Sequence, residues 1–104
     1  MTFEQKEVAA LKEYLQAAKS GSLPPQLRSS DPEMLQGVLD RIKAQMAGAE
    51  GVEFTADEAD ELDALGDACH QYAILMKEPA AMQPIVDMGT CLHGVARSMR
   101  TSIG

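Results

Sequence analysis

Apolar residues recur along this chain at steps of three and four, and no segment alternates with the two-residue period of a strand. The pattern therefore predicts helices. The first runs over about 3–20, with Val8, Leu11, Leu15 and Ala18 on one stripe; Thr2 and Gln5 have the spacing of a capping box, and Ser20-Gly21 supplies the stop. Residues 21–30 contain Gly21, Pro24, Pro25 and Ser22, Ser29 and Ser30, and residues before proline are driven out of the helical region, so an extended connection is expected. Leu23 and Leu27 are expected to pin it to the core.

The second helix, over about 32–47, opens with a cap at Ser30 or Asp31 and with Pro32 at its first position, where a missing amide costs nothing. Its stripe is Leu35, Val38, Leu39, Ile42 and Met46, and Gly48-Ala49-Glu50-Gly51 forms the turn after it. A third helix, over about 56–77, starts at a Thr55–Glu58 capping box, carries Leu62, Leu65, Cys69, Tyr72 and Met76 as a heptad-like seam, and is closed by Pro79. The fourth, over about 80–101, begins near Pro79 or Pro84 and presents Ile85, Gly89, Leu92, Ala96, Met99 and Ile103. Met88 and Val95 widen that stripe, and the small Gly89 and Ala96 admit a neighbouring helix closely.

Four helices with one apolar face each make an all-α, four-helix bundle-like domain spanning 1–104. Its third and fourth helices are expected to form an antiparallel hairpin crossing at about 20°. Acids gather at helix starts, and Lys19, Lys43, Lys77, Arg97 and Arg100 stand near the ends, as the helix macrodipole favours.

Composition narrows the function. Nine Lys and Arg against 16 Asp and Glu give a net charge of −7, which repels nucleic-acid phosphates and anionic lipid; a basic protein partner suits it better. Wholly apolar runs such as Ala73–Met76 are far short of the ~20 residues that span a bilayer, and charges interrupt the opening stretch where an export signal needs an apolar segment, so a cytoplasmic location is expected. Cys69 and Cys91 are the only cysteines and are expected to stay reduced there.

Candidate chemistry is sparse. Asp63, Asp67 and His70 follow i, i+4, i+7 spacing along one flank of the third helix, an arrangement that holds a divalent ion if a second helix adds ligands. Cys69 and Cys91 are candidates for a thiol redox sensor; they and His93 lie at similar heights in the hairpin, but Cys91 and His93 flank Leu92 by ~100° on either side and do not share one ion easily. His93 and Arg97 share a face of the fourth helix, which brings a phosphorelay-type histidine to mind, yet the Lys-Gly pair of such domains is replaced here by Ala96 and Arg97. Nucleophile motifs, phosphate loops and zinc-protease signatures are missing, so no catalytic residue and no cofactor is assigned, and an enzyme is the less favoured class.

Two features point to binding. The third helix becomes apolar all round at its C-terminal end, and the fourth carries a stripe wider than a small monomer need bury. The expected interface for self-association, as a homodimer, is Tyr72, Ile74, Leu75, Met76, Met88, Leu92, Val95 and Met99. The stretch between Lys43 and Lys77 adds an acidic patch of Glu53, Asp57, Glu58, Asp60 and Glu61 for a basic partner. The sequence thus reads as a small non-enzymatic helical interaction module, with a metal or thiol sensor and a His93 relay domain as rivals.

Overall fold

The computed structural model describes residues 3–28 and 31–103, with side chains through Thr101. The helices are α1 (Gln5–Ser20), α2 (Pro32–Met46), α3 (Ala56–Ile74) and α4 (Pro79–Ile103), and among the described residues there is no strand. They form an elongated bundle-like body of 45 × 23 × 22 Å in which α3 and α4 share the most extensive contact and α1 lies against α4 and α2.

Local chemistry sets most boundaries. Asp31 accepts from the Met34 amide at 3.0 Å, with Pro32 next to it, to open α2. At α3 the expected reciprocal box is complete: the Glu58 amide donates to Thr55 Oγ1 at 3.2 Å, and the Thr55 amide to Glu58 Oε1 at 2.8 Å. The box expected for α1 rests on Thr2, which lies outside the described residues; α1 opens after Glu4, whose carbonyl accepts from the Glu7 and Val8 amides. At the other end Gly21 takes φ +74°, a left-handed conformation only glycine adopts cheaply, which lets the Ser22 amide reach the Ala17 carbonyl at 2.9 Å.

Two boundaries differ from the pattern. α3 stops at Ile74 and not at 77, because Pro79 forces Glu78 out of the helical region and the chain tightens early: the Leu75 and Met76 amides bond back only three residues, to Tyr72 and Ala73. α4 starts at Pro79 and runs through Pro84, whose missing amide forfeits one helical bond while the apolar face beyond it holds the helix in place. The 21–28 connection is not simply extended; Pro25–Leu27 forms a short 3₁₀ turn that places Leu27 in the core.

The core is one cluster. Leu11, Tyr14 and Leu15 of α1, Leu35, Val38, Leu39 and Ile42 of α2, Ala59, Leu62, Leu65 and Cys69 of α3, and Leu92, Val95, Ala96 and Met99 of α4 are all buried. Met46, expected on the α2 stripe, is 43% exposed, because its turn runs past the edge of the core. Three aromatics outside the predicted stripes complete the packing. Phe3 and Phe54 meet edge to face at 5.7 Å between centroids, Arg41 lies over Phe54 at 5.4 Å, and the buried Tyr14 hydroxyl donates to the Leu27 carbonyl at 2.5 Å.

Tyr14→Phe leaves the Leu27 carbonyl buried without that donor. A loss of about 1–3 kcal/mol is expected in urea unfolding, with the helical circular-dichroism spectrum of the native state unchanged.

Candidate functional site

Polar and ionisable side chains meet along the α3–α4 seam, and two glycines determine how close that seam is. Gly66 and Gly89 face each other across the crossing: a Cβ on Gly66 would come 2.9 Å from the Gly89 carbonyl oxygen, and a Cβ on Gly89 equally near that of Gly66. Each notch is filled by the histidine of the opposite helix. The His93 ring lies over Gly66 and the His70 ring over Gly89, with ring centroids 5.5 Å apart. Both histidines stand four residues after the glycine of their own helix, so the antiparallel pair is locally symmetric.

Around the crossing runs a polar network. His93 Nδ1 lies 2.8 Å from Asp63 Oδ1, and its Nε2 lies 3.2 Å from Asp67 Oδ1. Asp63 Oδ2 accepts from Arg100, whose other terminal nitrogen donates to Asp60 at 2.7 Å. Burial would raise the Asp63 carboxyl, but hydrogen bonds from His93 and Arg100, together with their charges, hold it below the usual aspartate value. The same contest is decided the same way at Glu58. Burial is opposed by Arg41, which bonds both carboxylate oxygens, and by the Thr55 amide, so its pKa is lowered.

The predicted metal flank is divided by these contacts. Asp63 and Asp67 turn to His93 and Arg100, while His70 rests over Gly89 with Nε2 3.4 Å from the Thr90 hydroxyl. Among the described residues no group of three or more His, Cys, Asp and Glu side chains is gathered in a way that could hold a metal ion. The two thiols are also apart in character. Cys69 is buried in the core, and Cys91 faces the groove between α1 and α4 that Lys6, Glu13, Asp87 and Met88 help to line. Burial pushes both thiols up, and at Cys91 the Glu7 carboxylate adds to the effect, so thiolate is scarce at each.

The acidic patch is less free than its composition suggests. Glu58 is buried and paired with Arg41, and Asp60 is held by Arg100, leaving Glu53 and Asp57 exposed and Glu61 partly so. The expected interface also divides. Leu92, Val95 and Met99 are wholly buried in the chain's own core, so they do not present a face to a second copy; the breadth of the α4 stripe is used up by α3 on one side and α1 on the other. Met88 is half-buried in the α1–α4 groove. What stays open is the end of the hairpin: Ile74 and Leu75 are 77% and 75% exposed beside half-buried Tyr72 and Met76. Next to them a shallow hollow of about 140 Å³ is lined by Gln26, Ala68, Gln71, Tyr72 and Leu75.

Sequence reasoning missed the bridging role of His93 and the pairing of Arg41 and Arg100 with acids of α3. The repeated Gly-x-x-x-His spacing at Gly66–His70 and Gly89–His93 was the available signal for the notch. Comparison with protein-family models, curated proteins and solved structures finds no match for this chain.

Gly66→Ala sets a methyl group against the His93 ring, 2.6 Å away, and against backbone that does not yield. Despite the better helix propensity of alanine, a net loss of about 1–3 kcal/mol is expected in chemical denaturation, and Gly89→Ala should resemble it. The depressed carboxyl pKa values have a definite sign: the stability they contribute is present above the unfolded-state values and is lost as pH falls through the folded-state ones. Unfolding free energy is therefore expected to drop below about pH 4, and this acid branch should flatten in a Glu58→Gln, Asp63→Asn variant measured alongside.

Proposed function

We propose that this chain is a small, non-enzymatic helical interaction module that pairs with a second copy of itself through the open end of the α3–α4 hairpin. The observation that carries the reading is the exposure of Ile74 and Leu75, two large aliphatic side chains adjacent in sequence, at a tip where Tyr72 and Met76 extend the apolar surface. A monomer gains nothing by leaving such a cluster in water, whereas an interface core is built from one.

Two features favour a second copy as the occupant. A projecting Ile74–Leu75 pair and the hollow bordered by Tyr72 and Leu75 lie side by side on one surface, which is the self-complementary arrangement that a two-fold interface needs. Charge favours the same end. The chain carries −7 overall, but between Gln71 and Gln83 its charged residues are Lys77 and Glu78, which cancel. Two acidic copies approach there with least repulsion, and across a two-fold axis Lys77 of one copy suits Glu78 of the other.

A basic protein partner at the N-terminal end of α3 belongs to the same reading as its lesser part, resting on exposed Glu53 and Asp57, since Glu58 is committed to Arg41. The helices themselves serve as scaffold, and none of the roles named requires a cofactor.

Light scattering or sedimentation of the full chain is expected to give a concentration-dependent dimer. An Ile74→Asp, Leu75→Asp variant, with exposed positions that keep the fold, should be monomeric at every concentration with an unchanged helical spectrum. A wild-type chain that stays monomeric at high concentration overturns the self-pairing.

A further inference from the structure

Along the last turns of α4 lies a cleft of about 470 Å³ lined by Asp63, His93, Arg97, Arg100 and Thr101. On a chain of net charge −7, this lining holds two arginines and a histidine against a single carboxylate. That carboxylate is already engaged at both oxygens, Oδ1 by His93 and Oδ2 by Arg100, and Arg100 is engaged further by Asp60. Arg97 differs from its neighbours: it is exposed, and among the described residues no carboxylate is paired with it.

The helix macrodipole accounts for cations near the end of α4, but it is satisfied by cations anywhere around the helix. Here positions 93, 97, 100 and 101 fall on one face at i, i+3 and i+4 spacing; of its two guanidiniums Arg100 is paired with Asp60 and Asp63, while among the described residues Arg97 has no such partner. A hydroxyl is also at hand: Thr101 lies one turn beyond Arg97, its Oγ1 donating to the Arg97 carbonyl at 3.0 Å and free to rotate toward a better acceptor.

We propose that this cleft binds a phosphate dianion, with the Arg97 guanidinium donating to two of its oxygens and the Thr101 hydroxyl to a third. Planar, forked donation to a tetrahedral oxyanion is the geometry to which a guanidinium is suited. Among the described residues the lining contains no Phe, Tyr or Trp and no aliphatic side chain, so the recognised unit is the phosphate group itself and not an attached base or apolar ring. That group arrives either as free phosphate or on a phosphorylated side chain of another protein. The site is separate from the Ile74–Leu75 end and does not depend on self-pairing.

The test is a titration of the ¹⁵N-labelled full chain, followed by amide and side-chain shifts, with inorganic phosphate, with chloride at matched ionic strength, and with a short phosphoserine peptide beside its unphosphorylated form. Saturable shifts at Arg97, Arg100 and Thr101 with phosphate are expected, weakened about tenfold by Arg97→Gln and also weakened by Thr101→Val, while Lys77→Gln binds as wild type. Tighter binding of the phosphopeptide than of free phosphate assigns the source to a modified protein, and the reverse assigns it to the small ion. Shifts that chloride reproduces, or an Arg97→Gln chain with its native helical spectrum that binds phosphate as well as wild type, overturn the proposal.

Discussion

The contact on which this molecule depends is the one between Gly66 and Gly89, where two helix backbones come closer than any side chain at either position would permit. Because α3 and α4 touch there, the residues on both sides of the crossing are brought within reach of each other. Leu62 and Leu65 meet Leu92, Val95 and Met99 in the interior, and on the outer edge Asp60, Asp63 and Asp67 reach Arg100 and His93. Had either glycine been larger, the helices would stand apart and the polar network would lose the short reach it requires.

Close approach also explains why the chain's charge is so uneven in effect. The acids of α3 outnumber its bases, and a helix so composed would repel itself in isolation. Packing brings in cations from elsewhere: Arg41 of α2 for Glu58, and Arg100 of α4 for Asp60 and Asp63. The arginine at 41 links three elements at once, since it also lies over Phe54 and donates to the Glu53 carbonyl at 2.8 Å, fixing the loop that precedes α3. The surface left acidic is therefore smaller than the sequence implies. Among the described residues, an apolar tip at Ile74–Leu75 and a guanidinium without a carboxylate partner at Arg97 lie at opposite ends of the hairpin.

Much of the fold was legible residue by residue. The stripes Leu35–Val38–Leu39–Ile42 and Leu62–Leu65–Cys69 are buried as their spacing requires, the Thr55–Glu58 box forms, and the antiparallel register expected for the hairpin is seen in the Asp60–Arg100 and Gly66–Gly89 pairs. The places where pattern and structure part have separate causes. Met46 and the 75–77 segment follow a helical period beyond the point where there is core to bury it; Phe3 and Phe54 are buried from outside the helices, and Tyr14 from a place three residues after Leu11 on the same face as Leu15. The site was harder to read, since Asp63, Asp67 and His70 share a flank in the sequence but are drawn to different partners by α4.

The sequence by itself determined the four helices, the caps that open α2 and α3 and most of the inward face of each, because those follow from neighbours within a turn or two: a hydroxyl three residues before a carboxylate, a proline at a first position, leucines at steps of three and four. Tertiary structure alone decided which helix faces were used up inside the molecule and which charges were neutralised. Whether Leu92, Val95 and Met99 meet another copy or the chain's own α1 and α3, and whether Glu58 faces water or Arg41, depends on approach between segments distant in the chain. Spacing along one helix carries no information about what comes to lie against it.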